Sequence, residues 1–297
     1  MDRPSVRQLE YLVAVAKALN FREAAKQCHI SQPALSAQIL RLEEILGVKL
    51  FERDRRHVLL TPVGKEVADR AVRLLAELDD LASAATAHAE PHTGVLRLGV
   101  IPTVAPYVMP RALPKLVREF PKLEILLREE QTARCVELIE SGKLDLLLLA
   151  LEAELGDLET EAVFPDPFLF ACERKHPLAK KLHIAEGDLR GERILLLEDG
   201  HCLKDQAWEI CKARGVREPM DFRATSLGTL AQMVSAGNGV TLLPSLSLKT
   251  EGKLAGLAVR PFDEPVPFRT IGLAWRRTSP RKALFRAIAQ SLRTLAT

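Results

Sequence analysis

Between Pro62 and Ala89 the chain has no proline after Pro62 and no glycine after Gly64, while Val67, Ala71, Leu74, Leu78, Leu81 and Ala85 follow one another in steps of 4, 3, 4, 3 and 4. An unbroken stretch with an apolar stripe every 3.5 residues predicts one long helix carrying an a/d seam. Such a seam packs either on its own domain or on a second copy. Its place between two dissimilar parts of the chain favours the second copy, with Val67, Ala71, Leu74, Leu78 and Leu81 as the dimerisation positions. Glu90-Pro91-His92-Thr93-Gly94 then breaks the helix. The 297 residues therefore divide into a domain over 1–61, a linker helix over 62–92 and a larger domain over 93–297.

The first part carries the basic excess. Residues 1–65 hold 11 Lys/Arg against 7 Asp/Glu, a net of +4 where the whole chain is +3, which favours a polyanionic partner for this end. Leu9, Leu12, Val13 and Ala16 have helical spacing. Asn20 followed by Glu23 looks like a capping box for a second helix, Phe21 to Cys28. Ser31 caps a third, with Pro33 in its first turn, Leu35, Ile39, Leu42 and Leu46 as its buried stripe, and Gly47 as its stop. Two short helices joined by a tight turn make a helix-turn-helix.

With that stripe facing inward, Gln32, Pro33, Ser36 and Arg41 face outward. Gln32 and Ser36, near the helix start, are the expected base readers. Arg41, with Arg53, Arg55 and Arg56 of the hairpin-like segment that follows, is expected to meet phosphates. A three-helix protein-binding module with a solvated charged face would show much of the same pattern.

Five cysteines, at 28, 135, 172, 202 and 211, do not form the framework of a secreted disulfide protein. No CxxC, HExxH, Walker loop or GxGxxG occurs, so neither a metal nor a nucleotide cofactor is expected. No signal-like segment opens the chain and no apolar run is long enough to span a bilayer, so a cytoplasmic protein without a membrane partner is expected. Cys202 stands out because it follows Gly200-His201 at the expected start of a helix. Thiolate is favoured there by free backbone N–H groups and by neighbouring cations, here His201 and Lys204. Peroxide would convert that thiolate to a sulfenic acid, with which a second thiol can condense. Cys211 is the nearest candidate, nine residues on. Across a helix the two α-carbons would be about 13 Å apart, and a disulfide needs less than about 7 Å, so joining them would dismantle the helix. Equally, free cysteines often serve as small buried hydrophobes.

Beyond residue 93 strand and helix patterns alternate: strands near Val95–Ile101, Leu123–Arg128 and Leu144–Leu149, with helices near Pro106–Phe120 and Thr132–Ser141. A second set has strands near Phe168–Cys172, Ile194–Leu197 and Val240–Leu243, and helices near Leu203–Arg214 and Leu227–Ala236. Strand Thr270–Trp275 and helix Arg281–Leu295 close the chain. This order predicts an α/β domain with a largely parallel sheet.

The runs Leu9-Glu10-Tyr11-Leu12, Phe21-Arg22-Glu23-Ala24-Ala25, Ser31-Gln32-Pro33-Ala34-Leu35-Ser36 and Leu46 to Arg53 resemble the winged helix-turn-helix of LysR-type transcriptional regulators. Gly99 to Val104, Glu130-Gln131-Thr132, Glu198 to Gln206 and Arg269 to Leu273 are similar to the hydrogen-peroxide-sensing branch of that family. The resemblance implies a two-lobed, periplasmic-binding-protein-like regulatory domain, with lobe I over about 93–164 plus 269–297 and lobe II over about 165–268. It implies a peroxidatic Cys202, a resolving Cys211, and a peroxide pocket lined by Thr103, Thr132 and His201 with Asp205 and Arg269 in support. The partners it implies are promoter DNA, hydrogen peroxide, RNA polymerase and a second copy or a tetramer. Two other readings stay open: a family member that binds an organic effector between its lobes, and a thiol peroxidase, for which the DNA-binding part would have no purpose.

Overall fold

The structure is a computed structural model that describes residues 3–53, 58–89, 92–212, 222–254 and 256–295. Arg55 and Arg56 lie outside the described residues, as do the side chains of Arg53 and Cys211. Two compact units form, the N-terminal one running to Thr86 and the C-terminal one starting at Ala87.

In the N-terminal unit, α1 (Val6–Ala18), α2 (Phe21–Gln27) and α3 (Gln32–Leu46) each start on a side-chain cap. Ser5 and Gln8 form a full capping box, and Gln8 reaches on to Gln38 of α3 at 3.3 Å. Asn20 caps α2 by itself, accepting from the amides of Arg22 and Glu23. Glu23 is not its reciprocal partner, because its carboxylate is taken by Lys26 at 2.8 Å. Leu12, Leu35, Ile39 and Leu42 are fully buried, each stabilising the unit by roughly 1.5–3 kcal/mol relative to exposure.

The wing, β1 (Phe51–Arg53) against β2 (Val58–Leu60), is tied to α3 by the buried carboxylate of Glu43. Glu43 accepts from the amides of Leu50 (2.8 Å) and Phe51 (3.3 Å) and pairs with Lys49 (3.0 Å). Burial pushes its pKa up, but those three partners outweigh burial and hold it below the usual value. Helix α4 (Pro62–Ala89) starts against this wing. Gly64 allows the approach, since a Cβ there would lie 2.0 Å from the Leu50 carbonyl oxygen.

The C-terminal unit contains β3 (Gly94–Val100), α5 (Ala105–Glu119), β4 (Leu123–Glu129), α6 (Thr132–Glu140), β5 (Leu146–Ala150) and β6 (Leu158–Glu173), then α7 (Cys202–Lys212) and α8 (Leu227–Ser235). It closes with β7 (Thr241–Pro244), β8 (Leu257–Pro261), β9 (Phe268–Arg276) and α9 (Lys282–Arg293). The sheet is mixed, not largely parallel as the strand–helix alternation suggested. β3 runs parallel to β4 and β5, but every pairing made by β6 and β9 is antiparallel. The cause is β6, a 16-residue strand whose first part pairs with β9 and whose second part pairs with β7 and β8.

Two hydrophobic cores flank that strand. One spans β3, α5, β5, Phe164, β9 and α9; the other holds Phe168, Phe170, Ile194–Leu197, α8 and Leu242. The strand expected at Ile194–Leu197 is a buried extended segment with single bridges from Ile194 to Val240 and from Leu197 to Ala224. A short apolar run shows burial without showing pairing.

Candidate redox pocket and DNA-facing surface

Cys202 is the first residue of α7, only 8% exposed, and its side chain joins the core on the β3–β9 side, whereas Leu203 and Ala207 of the same helix join the other core. A pocket of about 290 Å³ opens beside it, lined by Thr132, Ala133, Glu152, Ala153, Glu154, Gly200, Cys202, Asp205 and Gln206. Of the residues expected there, Thr132 and Asp205 line the pocket with Cys202. Thr103, His201 and Arg269 stand outside its wall.

Burial raises the pKa of the Cys202 thiol above its ordinary value, and the charge of Asp205 adds to this. The hydroxyl of Thr132, the charge of Arg269 and the Leu203 amide pull the other way without overcoming burial. Thr132 is itself buried, and its Oγ1 has no partner at strict hydrogen-bond geometry. It is thus near enough to favour a thiolate while remaining free to donate to an incoming group.

Among the described residues, the cation that bears on the sulfur is Arg269, not the sequence neighbours His201 and Lys204. Arg269 is fully buried, donating from Nε to Asp166 Oδ2 (2.9 Å), from Nη1 to Thr103 Oγ1 (2.9 Å) and from Nη2 to the Thr103 carbonyl (3.0 Å). Asp166 is buried as well, and its Oδ1 accepts from Ser245 Oγ (2.9 Å) and the Leu246 amide (3.0 Å). Sequence reasoning missed Asp166, whose flanking Pro165 and Pro167 suggest a loop. Its pairing with Arg269 is long-range, and no local pattern marks it.

His201 turns away to Gln131, with 3.2 Å between its Nε2 and the Gln131 Nε2. Gln131 Nε2 also donates to Glu198 Oε1 at 3.0 Å. Burial lowers the His201 pKa despite Glu198, so the ring is neutral and no cationic partner for sulfur. Lys204 is taken by an ion pair to Asp199. Gly200 is required where it stands, with φ of +94° and a would-be Cβ 2.5 Å from Gln131 Oε1.

The other described cysteines are chemically quiet. Cys135 and Cys172 are fully buried, and burial pushes their thiols up to about 12 and about 11. Cys28, half-buried in the N-terminal unit, is also raised by burial.

On α3, Gln32, Pro33 and Arg41 are exposed and Ser36 is half-buried. Arg41 also lines a pocket of about 300 Å³ with Arg3, Ser5, Gln8, Gln38 and Ile45. Along α4 the seam divides. Ala71 is buried in the N-terminal core and Val67 packs on it, so these two serve their own domain instead of a partner. Leu74, Leu78 and Leu81 are 55%, 45% and 71% exposed.

Residues 6–65 match the family model described as "Bacterial regulatory helix-turn-helix protein, lysR family", and residues 89–297 match "LysR substrate binding domain". The chain is 45% identical to the DNA-binding transcriptional dual regulator OxyR of Escherichia coli K12, over 97% of this chain and 95% of that one. It is similar to the solved structure of a full-length OxyR variant from Pseudomonas aeruginosa, at TM-score 0.76 and 33% identity, covering 99% of this chain and 96% of that one. OxyR structures in reduced and oxidized forms match at TM-score 0.63 with 42% and 44% identity, over 69% of this chain and 97% of each.

Proposed function

We propose, from the premise that the chain belongs to the LysR family of transcriptional regulators, that it is a hydrogen-peroxide sensor whose switch is Cys202. The observation that carries this is the placement of one sulfur. Cys202 lines a pocket, beside an unpartnered hydroxyl and under the influence of a buried guanidinium.

The chemistry follows from that placement. The Cys202 sulfur attacks one peroxide oxygen, an S–O bond forms, the O–O bond breaks, and the thiol proton leaves with the departing oxygen as water. Thr132 can donate to the oxygen as it departs. The resulting sulfenic acid then condenses with the Cys211 thiol, forming S–S and releasing a second water. Both cysteines sit on one helix, Cys202–Lys212, and nine residues of helix hold their α-carbons about 13 Å apart, so closing the bond requires unwinding α7. That rearrangement carries the signal.

The remaining roles follow the chain. Residues 1–61 hold promoter DNA, with Gln32 and Ser36 toward bases and Arg41, Arg53, Arg55 and Arg56 toward phosphates. Residues 62–92 pair two protomers through Leu74, Leu78 and Leu81, with RNA polymerase as the further partner of the bound homodimer or tetramer. Residues 93–297 sense peroxide, in the cytoplasm; among the described residues no helix is long and apolar enough to cross a membrane. An organic effector is less well supported, because the pocket's charged residues are all carboxylates and its volume sits at the bottom of the roughly 300–1,000 Å³ range usual for small-molecule sites. Operator binding with and without peroxide, in the parent and in Cys202→Ser, tests the reading: the parent should respond and the variant should not.

A further inference from the structure

Among the described residues, every charged one lining the Cys202 pocket is acidic. Glu152, Glu154 and Asp205 surround it, all three are exposed, and no described lysine, arginine or histidine lines it. Nearby cations are engaged elsewhere, Lys204 on Asp199 and Arg269 on Asp166 and Thr103. The carboxylate of Glu152 is fixed in place, accepting from the Thr270 amide at 2.6 Å and from Gln206 Nε2 at 3.3 Å. The groups offered to a small ligand inside the pocket are instead neutral: the unpartnered Thr132 hydroxyl and the buried, unpartnered Oε1 of Gln206.

We infer that this acidic rim is a charge filter, admitting uncharged peroxides to Cys202 and retarding anionic oxidants, with Glu154 as a specificity-determining residue. The inference rests on the reading of Cys202 as the oxidised sulfur. It goes further in naming the class of oxidant refused and the side chain that refuses it. A neutral H₂O₂ has no Coulomb interaction with the rim. Peroxymonosulfate, a peroxide that is a monoanion at neutral pH, must approach three like charges. Its reaction is otherwise parallel: the thiolate attacks the terminal hydroxyl oxygen, S–O forms, O–O breaks and sulfate departs, leaving the same sulfenic acid. Hydroxide, protonated to water, departs from H₂O₂.

The repulsion is an exposed-charge effect and so is screened by salt, whose Debye length is about 30 Å at 0.01 M and about 3 Å at 1 M. At several ångströms in water one unit charge is worth about a two- to five-fold change in encounter. Glu154 is the side chain to vary, because Glu152 holds backbone and Asp205 bears on the sulfur's own acidity.

The experiment times Cys202 oxidation in the full-length protein, by alkylation quench and peptide mass analysis, with H₂O₂ and with peroxymonosulfate at low and high salt. In the parent, the peroxymonosulfate rate should rise several-fold with salt while the H₂O₂ rate stays level. At low salt, Glu154→Gln should raise the peroxymonosulfate rate about two-fold and Glu154→Lys about five-fold or more, with a far smaller change in the H₂O₂ rate in both. Equal peroxymonosulfate rates in the parent and Glu154→Lys, or an equal gain with both oxidants, overturn the filter. Failure of H₂O₂ to oxidise Cys202 in the parent overturns instead the reading on which it rests.

Discussion

Asp166 and Arg269 sit directly opposite one another in the antiparallel β6–β9 pairing, fully buried, with guanidinium Nε 2.9 Å from carboxylate Oδ2. The pair joins Thr103 after β3 to Ser245 and Leu246 after β7, and its positive member favours the Cys202 thiolate. Removing one partner of a buried ion pair typically costs about 3–5 kcal/mol. Arg269→Met should therefore lower the urea midpoint and slow Cys202 oxidation. Adding Asp166→Leu should recover much of the stability, because no charge is then left unpaired, but not the rate. Recovery of both would mean that Arg269 matters only for packing.

Thr132 separates stability from chemistry in the opposite sense. Its buried hydroxyl meets no partner at strict geometry, so Thr132→Val removes an unsatisfied polar atom at little cost, within about 1 kcal/mol of the parent. The same change deletes a group that favours thiolate on Cys202. Thermal unfolding should stay near the parent while peroxide oxidation slows by an order of magnitude. An unaltered rate would remove Thr132 from the mechanism.

Two pH effects follow with opposite signs. Burial raises the Cys202 thiol above its usual value of 9.0, so the peroxide reaction should quicken as pH rises through neutrality toward that value, without a plateau near pH 7. The unfolded chain loses this proton first, so the stability tied to the neutral thiol is present below about pH 9 and falls as pH rises beyond it. His201 is lowered below 6.5 by burial. There the unfolded chain gains the proton first, and the associated stability is present above 6.5 and falls as pH drops below it. Denaturant titrations across both limbs, with His201→Gln removing the acid one only, check both signs.

The seam on α4 makes a paired prediction. Leu74→Asp or Leu78→Asp places a charge on an exposed apolar row, so the fold should survive while sedimentation shows smaller assemblies and operator affinity falls. Ala71→Asp buries a charge in the N-terminal core and should unfold that unit. Loss of fold from Leu74→Asp, or an unchanged mass distribution, would count against pairing through this row.

The local chemistry of caps and breakers was legible in the sequence. Asn20, Ser31 and Gly47 act where their residue types suggest, because capping depends on atoms within a few residues. The 4-3-4-3-4 spacing revealed the α4 helix but not its division, since Val67 and Ala71 are covered by helices distant in sequence. His201 and Lys204 misled for a related reason: nearness in sequence does not decide where a side chain turns, and both found other partners. The long β6 was hidden by Pro165 and Pro167. The strand tolerates them because its pairing passes from β9 to β7 and β8 at that point. Asp166 was hidden with them, and with it the carboxylate that holds Arg269 in place.

The most direct test of the switch is peptide mapping of the full-length protein after a brief, low dose of peroxide, matched to the dose that alters operator binding. A Cys202–Cys211 disulfide is the expected result, accompanied by faster amide hydrogen exchange across α7, since the bond cannot close while that helix stays intact. In Cys211→Ser, the same dose should leave sulfenic acid on Cys202 and no disulfide. Free thiols at both positions, at doses that change DNA binding, would contradict the sensor.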